Sequence, residues 1–269
     1  MYGKCSYVLS EHCHYGSGDK QFDIELQNSD CKEYVQGLMS CTRQLIVRVK
    51  GGPIITLGSS KSAANYITPT VLLNGNVADR YVDETVEIEF VGAENVLVHG
   101  KPGFIVHWTG HNVYVTVGPA LENKTCGLCG TFNHEVADDF HTRSDDIAQK
   151  ASAFADEWAT VESKASIPSC NKHDWETIDG KVCDLYSVNN PYATQHCSII
   201  KDPAGPFKNC DVDKEHYYDQ CKTDGCKCKD CLCYVIAAYA KACADKGIVV
   251  EGWRSKVDKC EASKFFPIK

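Results

Sequence analysis

Apolar and polar residues alternate along much of the first half of the chain. Phe22, Ile24 and Leu26 are separated by Asp23, Glu25 and Gln27, and Leu45, Val47 and Val49 interleave with Ile46, Arg48 and Lys50. Val86, Ile88 and Phe90 alternate with Glu87 and Glu89. The stretches 104–108 and 113–117 are rich in apolar, β-branched and aromatic residues. Period two places alternate side chains on opposite faces of a strand, so each run has one face for a core and one for water. Gly51-Gly52-Pro53, Asn74-Gly75, Lys101-Pro102-Gly103 and Thr109-Gly110-His111-Asn112 punctuate the runs as turns. Short strands at this spacing predict an antiparallel β-sandwich or barrel-like sheet. The period then changes. Residues 145–158 carry Ile147, Ala151, Phe154, Ala155 and Trp158 at helical spacing, with Ser144 or Asp145 as N-cap. Residues 231–246 place Cys233, Ile236, Ala237, Ala240 and Cys243 on one stripe and end at Gly247, a C′ glycine. Residues 213–218 are a further helix candidate.

Cysteine usage divides the chain at the same change of period. There are 17 cysteines in 269 residues. Six (Cys5, Cys13, Cys31, Cys41, Cys126 and Cys129) lie before residue 170, and eleven lie between 170 and 260. This predicts a β-rich antiparallel sandwich domain over 1–162, a small-residue and proline linker over 163–169, a small disulfide-stapled α-helical domain over 170–262 and a tail over 263–269. Cysteine at this density implies an oxidising, secretory environment. The first 30 residues lack the basic start and apolar stretch of a signal peptide, and the cysteine count is odd. Both features are expected of an internal piece of a longer protein, although Met1 as an expression start and a free thiol or inter-chain bridge remain alternatives. The net charge of −8 argues against a nucleic-acid partner, and no apolar run reaches the roughly 18–20 residues of a membrane span.

Several residue groups carry candidate chemistry. Cys126 and Cys129 have the spacing of a redox dithiol, but Gly130-Thr131-Phe132-Asn133 follows them where a thioredoxin-type site needs a helix. Structural disulfides are the competing reading. Thr131, Asn133, Glu135, Asp138 and Asp139 offer oxygens at short intervals in one loop, which suits a hard cation such as calcium. The alternative is a solvated acidic turn. The run Cys226, Cys228, Cys231 and Cys233 suits zinc in a reducing compartment and disulfides in an oxidising one. Asn123-Lys124-Thr125 is a glycosylation sequon. His107 and His111 flank a strand end and turn, not the helix that a zinc pair at this spacing needs. Nucleophile-elbow, phosphate-loop and dinucleotide motifs are missing, and Asp202-Pro203 lacks the flanking Gly and His of a self-cleavage motif.

The segment 123–133, centred on Cys126-Gly127-Leu128-Cys129-Gly130 and followed by Asp138-Asp139-Phe140, resembles the core of von Willebrand factor type D domains. Gly3-Lys4-Cys5-Ser6-Tyr7-Val8-Leu9, Cys41-Thr42-Arg43, Leu72-Leu73-Asn74-Gly75 and Phe154-Ala155-Asp156-Glu157-Trp158 are similar to the rest of that domain. Residues 231–243, Gly252-Trp253-Arg254 and Cys260 resemble the eight-cysteine domain that follows it in von Willebrand factor, gel-forming mucins, subcommissural-organ spondin, otogelin and hemolectin-like proteins. The Gly130–Asn133 variant leans towards the spondin, otogelin and hemolectin branch. The resemblance implies that the family's first strand, with its cysteine and aspartate, and the trypsin-inhibitor-like module that follows are missing from this chain. It implies bridges Cys13–Cys126, Cys31–Cys41 and Cys5–Cys170, with Cys129 unpaired or paired upstream, and it marks Cys231 as a candidate for an inter-chain bridge, with an ordinary bridge inside its own domain as the favoured alternative. It implies calcium at Thr131, Asn133, Glu135, Asp138 and Asp139. The function implied is a secreted, non-enzymatic structural or adhesion module that binds proteins or builds multimers. The rivals are disulfide exchange at Cys126 and Cys129, luciferase-type oxidation, and a lipid-carrier domain.

Overall fold

The computed structural model describes residues 5–13, 19–30, 40–61, 67–93, 95–110, 112–149, 151–166, 187–227, 229, 231–258 and 260. The chain forms two compact units, residues 1–175 and 176–269. The first is built from twelve strands among the described residues, in two antiparallel sheets. One sheet takes β1 (Ser6–His12), β2 (Phe22–Asp30), β3 (Ser40–Val49), β4 (Ile54–Lys61), β5 (Ile67–Leu73), β6 (Asn76–Val77) and β12 (Thr125–Cys126), in the order β12-β1-β2-β3-β4-β5-β6. The other takes β7 (Tyr81–Val82), β8 (Val86–Val91), β9 (Asn95–Gly100), β10 (Phe104–Trp108) and β11 (Val113–Val117), in the order β11-β10-β9-β8-β7. Most neighbours are hairpins joined at the turn signals of the sequence. At the β5–β6 turn Asn74 and Gly75 both take positive φ (48° and 84°), the two left-handed positions that a two-residue hairpin of matching twist requires.

The alternating runs place their apolar members between the sheets. Phe22, Ile24, Leu45, Val47, Ile55 and Leu57 of the first sheet meet Val86, Ile88, Val98, Phe104, Val106 and Trp108 of the second. Full burial of side chains of this size is worth about 1.5–3 kcal/mol each. Phe22 and Phe104 stack across the interface with ring centroids 4.7 Å apart. Trp108 is fully buried, and its indole Nε1–H donates to the carbonyl of Gly58 at 2.8 Å, so its polar edge is satisfied.

β1 does not alternate, because it is covered on both sides. Leu9 joins the inter-sheet core, while Val8 packs against Phe154 and Trp158, and Tyr7 against Ala155 and Ala159. The cover is α1 (Ala151–Glu157) and the turn after it. The Val8 N–H donates to the Trp158 carbonyl at 2.9 Å and the Thr160 N–H to the Ser6 carbonyl at 2.9 Å. The helix is shorter than its periodicity predicted. Asp145 adopts φ +69°, Thr142 and Asp146 close a turn, and Ile147 bridges to His141 as extended backbone, so residues 145–149 are not helical. The predicted linker is also corrected at its start. Residues 163–166 belong to α2 (Val161–Ser166) in the first unit, and the Ser163 hydroxyl accepts the Ser6 N–H at 2.9 Å. The remainder of the predicted linker lies outside the described residues.

The second unit packs α3 (Asn190–Cys197), α4 (Lys214–Lys227) and α5 (Leu232–Asp245) around Phe207, Leu232, Ile236, Tyr239 and Trp253. Asp213 caps α4 by accepting the Glu215 N–H at 3.0 Å. α5 ends where predicted. Gly247 takes φ +81°, its N–H donates to Ala244, and the Ile248 N–H donates to Cys243, the paired bonds of a Schellman turn. Cys197–Cys221, Cys210–Cys243 and Cys233–Cys260 staple these helices together.

Candidate functional site

The Cys126–Cys129 loop is stitched along β1. Cys126 sits opposite Glu11 in the β1–β12 ladder, and the N–H groups of Leu128 and Cys129 donate to the carbonyls of Val8 and Leu9 at 3.1 and 2.8 Å. Gly127 makes this approach feasible. Its φ is +121°, and a Cβ there would lie 2.6 Å from the Leu9 carbonyl oxygen. Cys126 is bridged to Cys13. Cys129 is a free thiol and is exposed. The atoms crowding it from the protein side desolvate the thiolate and push the thiol up to about 11. Exposure governs access and crowding governs charge, so Cys129 is reachable yet protonated at neutral pH, unlike an activated redox thiol.

Beside Cys129 lies a cavity of about 340 Å³ whose walls include Ser10, Val115, Val117, Phe132, Glu135 and Asp139. Val115 and Val117 belong to β11, which among the described residues pairs only with β10 and forms one edge of its sheet. The edge strand and the thiol therefore share one opening. The sequence singled out Cys129 but not this strand edge, because edge status depends on the order of strands in the sheet.

The acidic loop folds back on itself next to the thiol. The Thr131 hydroxyl donates to Asp138 Oδ1 at 3.2 Å, Asn133 Nδ2 donates to Asp138 Oδ2 at 2.7 Å, and the Thr131 N–H donates to Asp139 Oδ1 at 3.4 Å. Asn133 Oδ1 accepts the Glu135 N–H at 2.9 Å. Four of the five predicted ligands thus converge, and Glu135, which is exposed, joins through its backbone. Among the described residues no group of three or more His, Cys, Asp or Glu side chains is arranged to hold a metal. The donors present (two carboxylates, a hydroxyl and an amide oxygen) are hard oxygens of the kind calcium takes, but they fall short of its usual six to eight. The residues fit part of a calcium site. Asn123 is exposed at the end of this loop, with φ +58° and its N–H donating to the Phe132 carbonyl at 3.0 Å.

The other predicted cysteines are placed as follows. Cys5 is disulfide-bonded, while Cys170 and Cys31 lie outside the described residues, as does the side chain of Cys41. Cys231 is disulfide-bonded in this single chain. It stands immediately before α5. Cys226 is likewise disulfide-bonded, which removes it from the thiolates a zinc site would need.

A second cluster escaped sequence reasoning. Glu11 and Asp23 are buried on the outer side of β1 and β2, only 8% and 6% exposed, and both are neutralised. Arg48 pairs with Asp23 at 2.5 Å and with Glu25 at 2.9 Å, Lys20 with Glu11 at 2.6 Å, and Arg143 with Glu11 at 3.2 Å. Arg143 also stacks over Trp158, 4.5 Å from its ring centre, so the network ties the strands to the helical cover. Arg143 is 132 positions from Glu11, a separation that local patterning does not reach.

Comparison with known proteins gives two family matches in chain order. Residues 1–146 match the von Willebrand factor type D domain and residues 196–261 match the C8 domain. Mouse Mucin-6 is 30% identical over 262 residues, covering 94% of this chain and 8% of the relative. Human Mucin-5B is 28% identical over 278 residues, covering 96% of this chain and 4% of the relative. Human Mucin-2 is 37% identical over 150 residues, covering 54% of this chain and 3% of the relative. The chain thus spans a small part of these relatives' length, and they are mucins, so the Gly130–Asn133 variant does not by itself separate the branches of the family. With the sandwich, its Cys126–Cys129 loop and the stapled helical unit in the order of both matches, the chain belongs to the von Willebrand factor type D domain family and carries a C8 domain after it.

Proposed function

We propose that this chain is a non-catalytic, secreted structural module that joins larger assemblies through protein–protein contacts and self-association. The observation that carries the reading is Cys129. It is a reachable thiol beside an open strand edge, in a chain whose other described cysteine side chains are cross-linked. The mucin relatives support an extracellular setting and an assembly role. The protonated state of Cys129 weighs against disulfide-exchange catalysis. In this reading an extended segment outside residues 1–269 brings a cysteine to Cys129 and runs along β11. Peptide mapping of the secreted parent protein under non-reducing conditions tests it. Cys129 is expected in a disulfide with a cysteine outside this range, and a free Cys129 thiol in the secreted protein overturns the assignment.

Calcium is the second part of the proposal. Thr131, Asn133, Asp138 and Asp139 would supply oxygens to the ion, and the joining segment would supply more. The ion would neutralise Asp138 and Asp139 and hold the loop against β1. At a hundredfold excess over Kd, a bound ligand stabilises by about 2.7 kcal/mol, which for a domain of this size raises Tm by roughly 5–10 °C. Asp138→Asn is expected to abolish the rise. An unchanged Tm for the full-length protein in millimolar calcium removes the site.

A further inference from the structure

At one end of the sandwich, turns from both sheets surround a cavity of about 390 Å³. Its floor includes Val49 and Leu121, both buried members of the core, with Pro102 beside them. Its rim carries Lys50, Lys101 and Lys124 from three separate turns. Backbone bonds hold each lysine in place: Lys50 N–H to Gln21 at 2.9 Å, Lys101 N–H to Thr85 at 2.9 Å and Lys124 N–H to Leu121 at 3.0 Å. The chain as a whole carries −8, so a lining with three lysines and one carboxylate, Glu84, departs from its overall sign.

We propose that this cavity binds a sulfated or carboxylated sugar. The volume falls within the roughly 300–1,000 Å³ of ligand pockets and exceeds the need of a bare ion. A sugar ring has an apolar C–H face, which the Val49, Leu121 and Pro102 floor accommodates. Its anionic substituents fall within reach of the lysine rim, whose field a low-dielectric wall concentrates. The rim charges are unequally committed. Lys50 pairs with Asp19, Lys124 Nζ donates to the Ala120 carbonyl at 3.0 Å, and among the described residues no carboxylate pairs with Lys101. Lys101 and Lys124 therefore supply the charge that a ligand meets. Glu84, the acidic side chain in the lining, accepts sugar hydroxyl groups.

Calorimetric titration of the full chain with a sulfated heparin-derived hexasaccharide at low ionic strength tests this. Binding is expected, weakening steeply with added salt. Lys101→Glu combined with Lys124→Glu lowers affinity by roughly tenfold or more, because two attractions become repulsions. Both lysines are exposed, so the melting temperature stays unchanged, and Lys246→Glu, an exposed charge reversal in the other unit, leaves binding intact. The desulfated hexasaccharide and inorganic sulfate separate the two sources of affinity. Both bind far more weakly than the sulfated sugar if ring and charge act together. No binding of the sulfated sugar, equal binding by the doubly reversed variant, or equal competition by inorganic sulfate at matched sulfate concentration overturns the proposal.

Discussion

Asp83 shows how one residue can set a turn and a pH dependence together. Its carboxylate accepts the N–H groups of Thr85 and Val86, the Thr85 hydroxyl and the Tyr81 hydroxyl. Partial desolvation works against its charge, but these hydrogen bonds outweigh it and hold the carboxyl down to about 2. A carboxylate with a depressed folded pKa contributes stability that is present above its unfolded pKa near 4. That contribution is lost as pH falls towards 2. Asp83→Asn is therefore expected to flatten the stability profile between about pH 4 and pH 2, as followed by denaturant melts across that range. A parallel profile for the two proteins would show that the turn does not depend on the charge. Cys129 is perturbed the opposite way: crowding by its neighbours disfavours the thiolate and pushes the thiol up to about 11.

At the scale of elements, the two glycines of the Cys126–Cys129 loop differ in what they protect. A Cβ at Gly127 would meet the backbone of β1 at 2.6 Å, and neither strand can move without breaking the ladder. A Cβ at Gly130 would meet the Asp139 carboxylate at 2.4 Å, a side chain that can swing away. Gly127→Ala is expected to destabilise the first unit by about 2–4 kcal/mol in urea unfolding. Gly130→Ala costs less stability and instead displaces Asp139 from the Thr131 N–H. Equal stability losses for the two variants would contradict this division. The elements also differ in how plainly the chain announces them. β2, β3 and β8 alternate because one of their faces meets the inter-sheet core and the other carries polar groups. β1 is buried on one face by the inter-sheet core and on the other by contacts more than 140 residues away, so its alternation is erased. The apolar stripe over 145–158 is real, but a left-handed Asp145 and a bridge to His141 divert its first part into extended chain.

At the scale of the molecule, cross-links set the cost of unfolding. Cys13–Cys126 closes a loop of 113 residues, and in the chain-entropy view a loop of that length is worth about 4–5 kcal/mol. Replacing both cysteines by serine is expected to lower the stability of the first unit by about 2–5 kcal/mol, while the helical unit, stapled independently, melts as before. A shift in both transitions would show that the units are coupled.

What the chain settles alone is local and repetitive. Period-two runs, an Asn-Gly hairpin, the glycine that ends α5 and the crowding of cysteines beyond residue 170 each depend on neighbours within a few positions. The tertiary structure decides which groups meet. It joins Cys13 to Cys126 and leaves Cys129 at an open edge, gathers Asp138 and Asp139 beside Thr131, buries Glu11 under Arg143, and collects three lysines at one end of the sandwich. The physical reason is sheet register. Pairing β1 with β12 brings together residues more than a hundred positions apart, and no local propensity encodes which strand will be a neighbour.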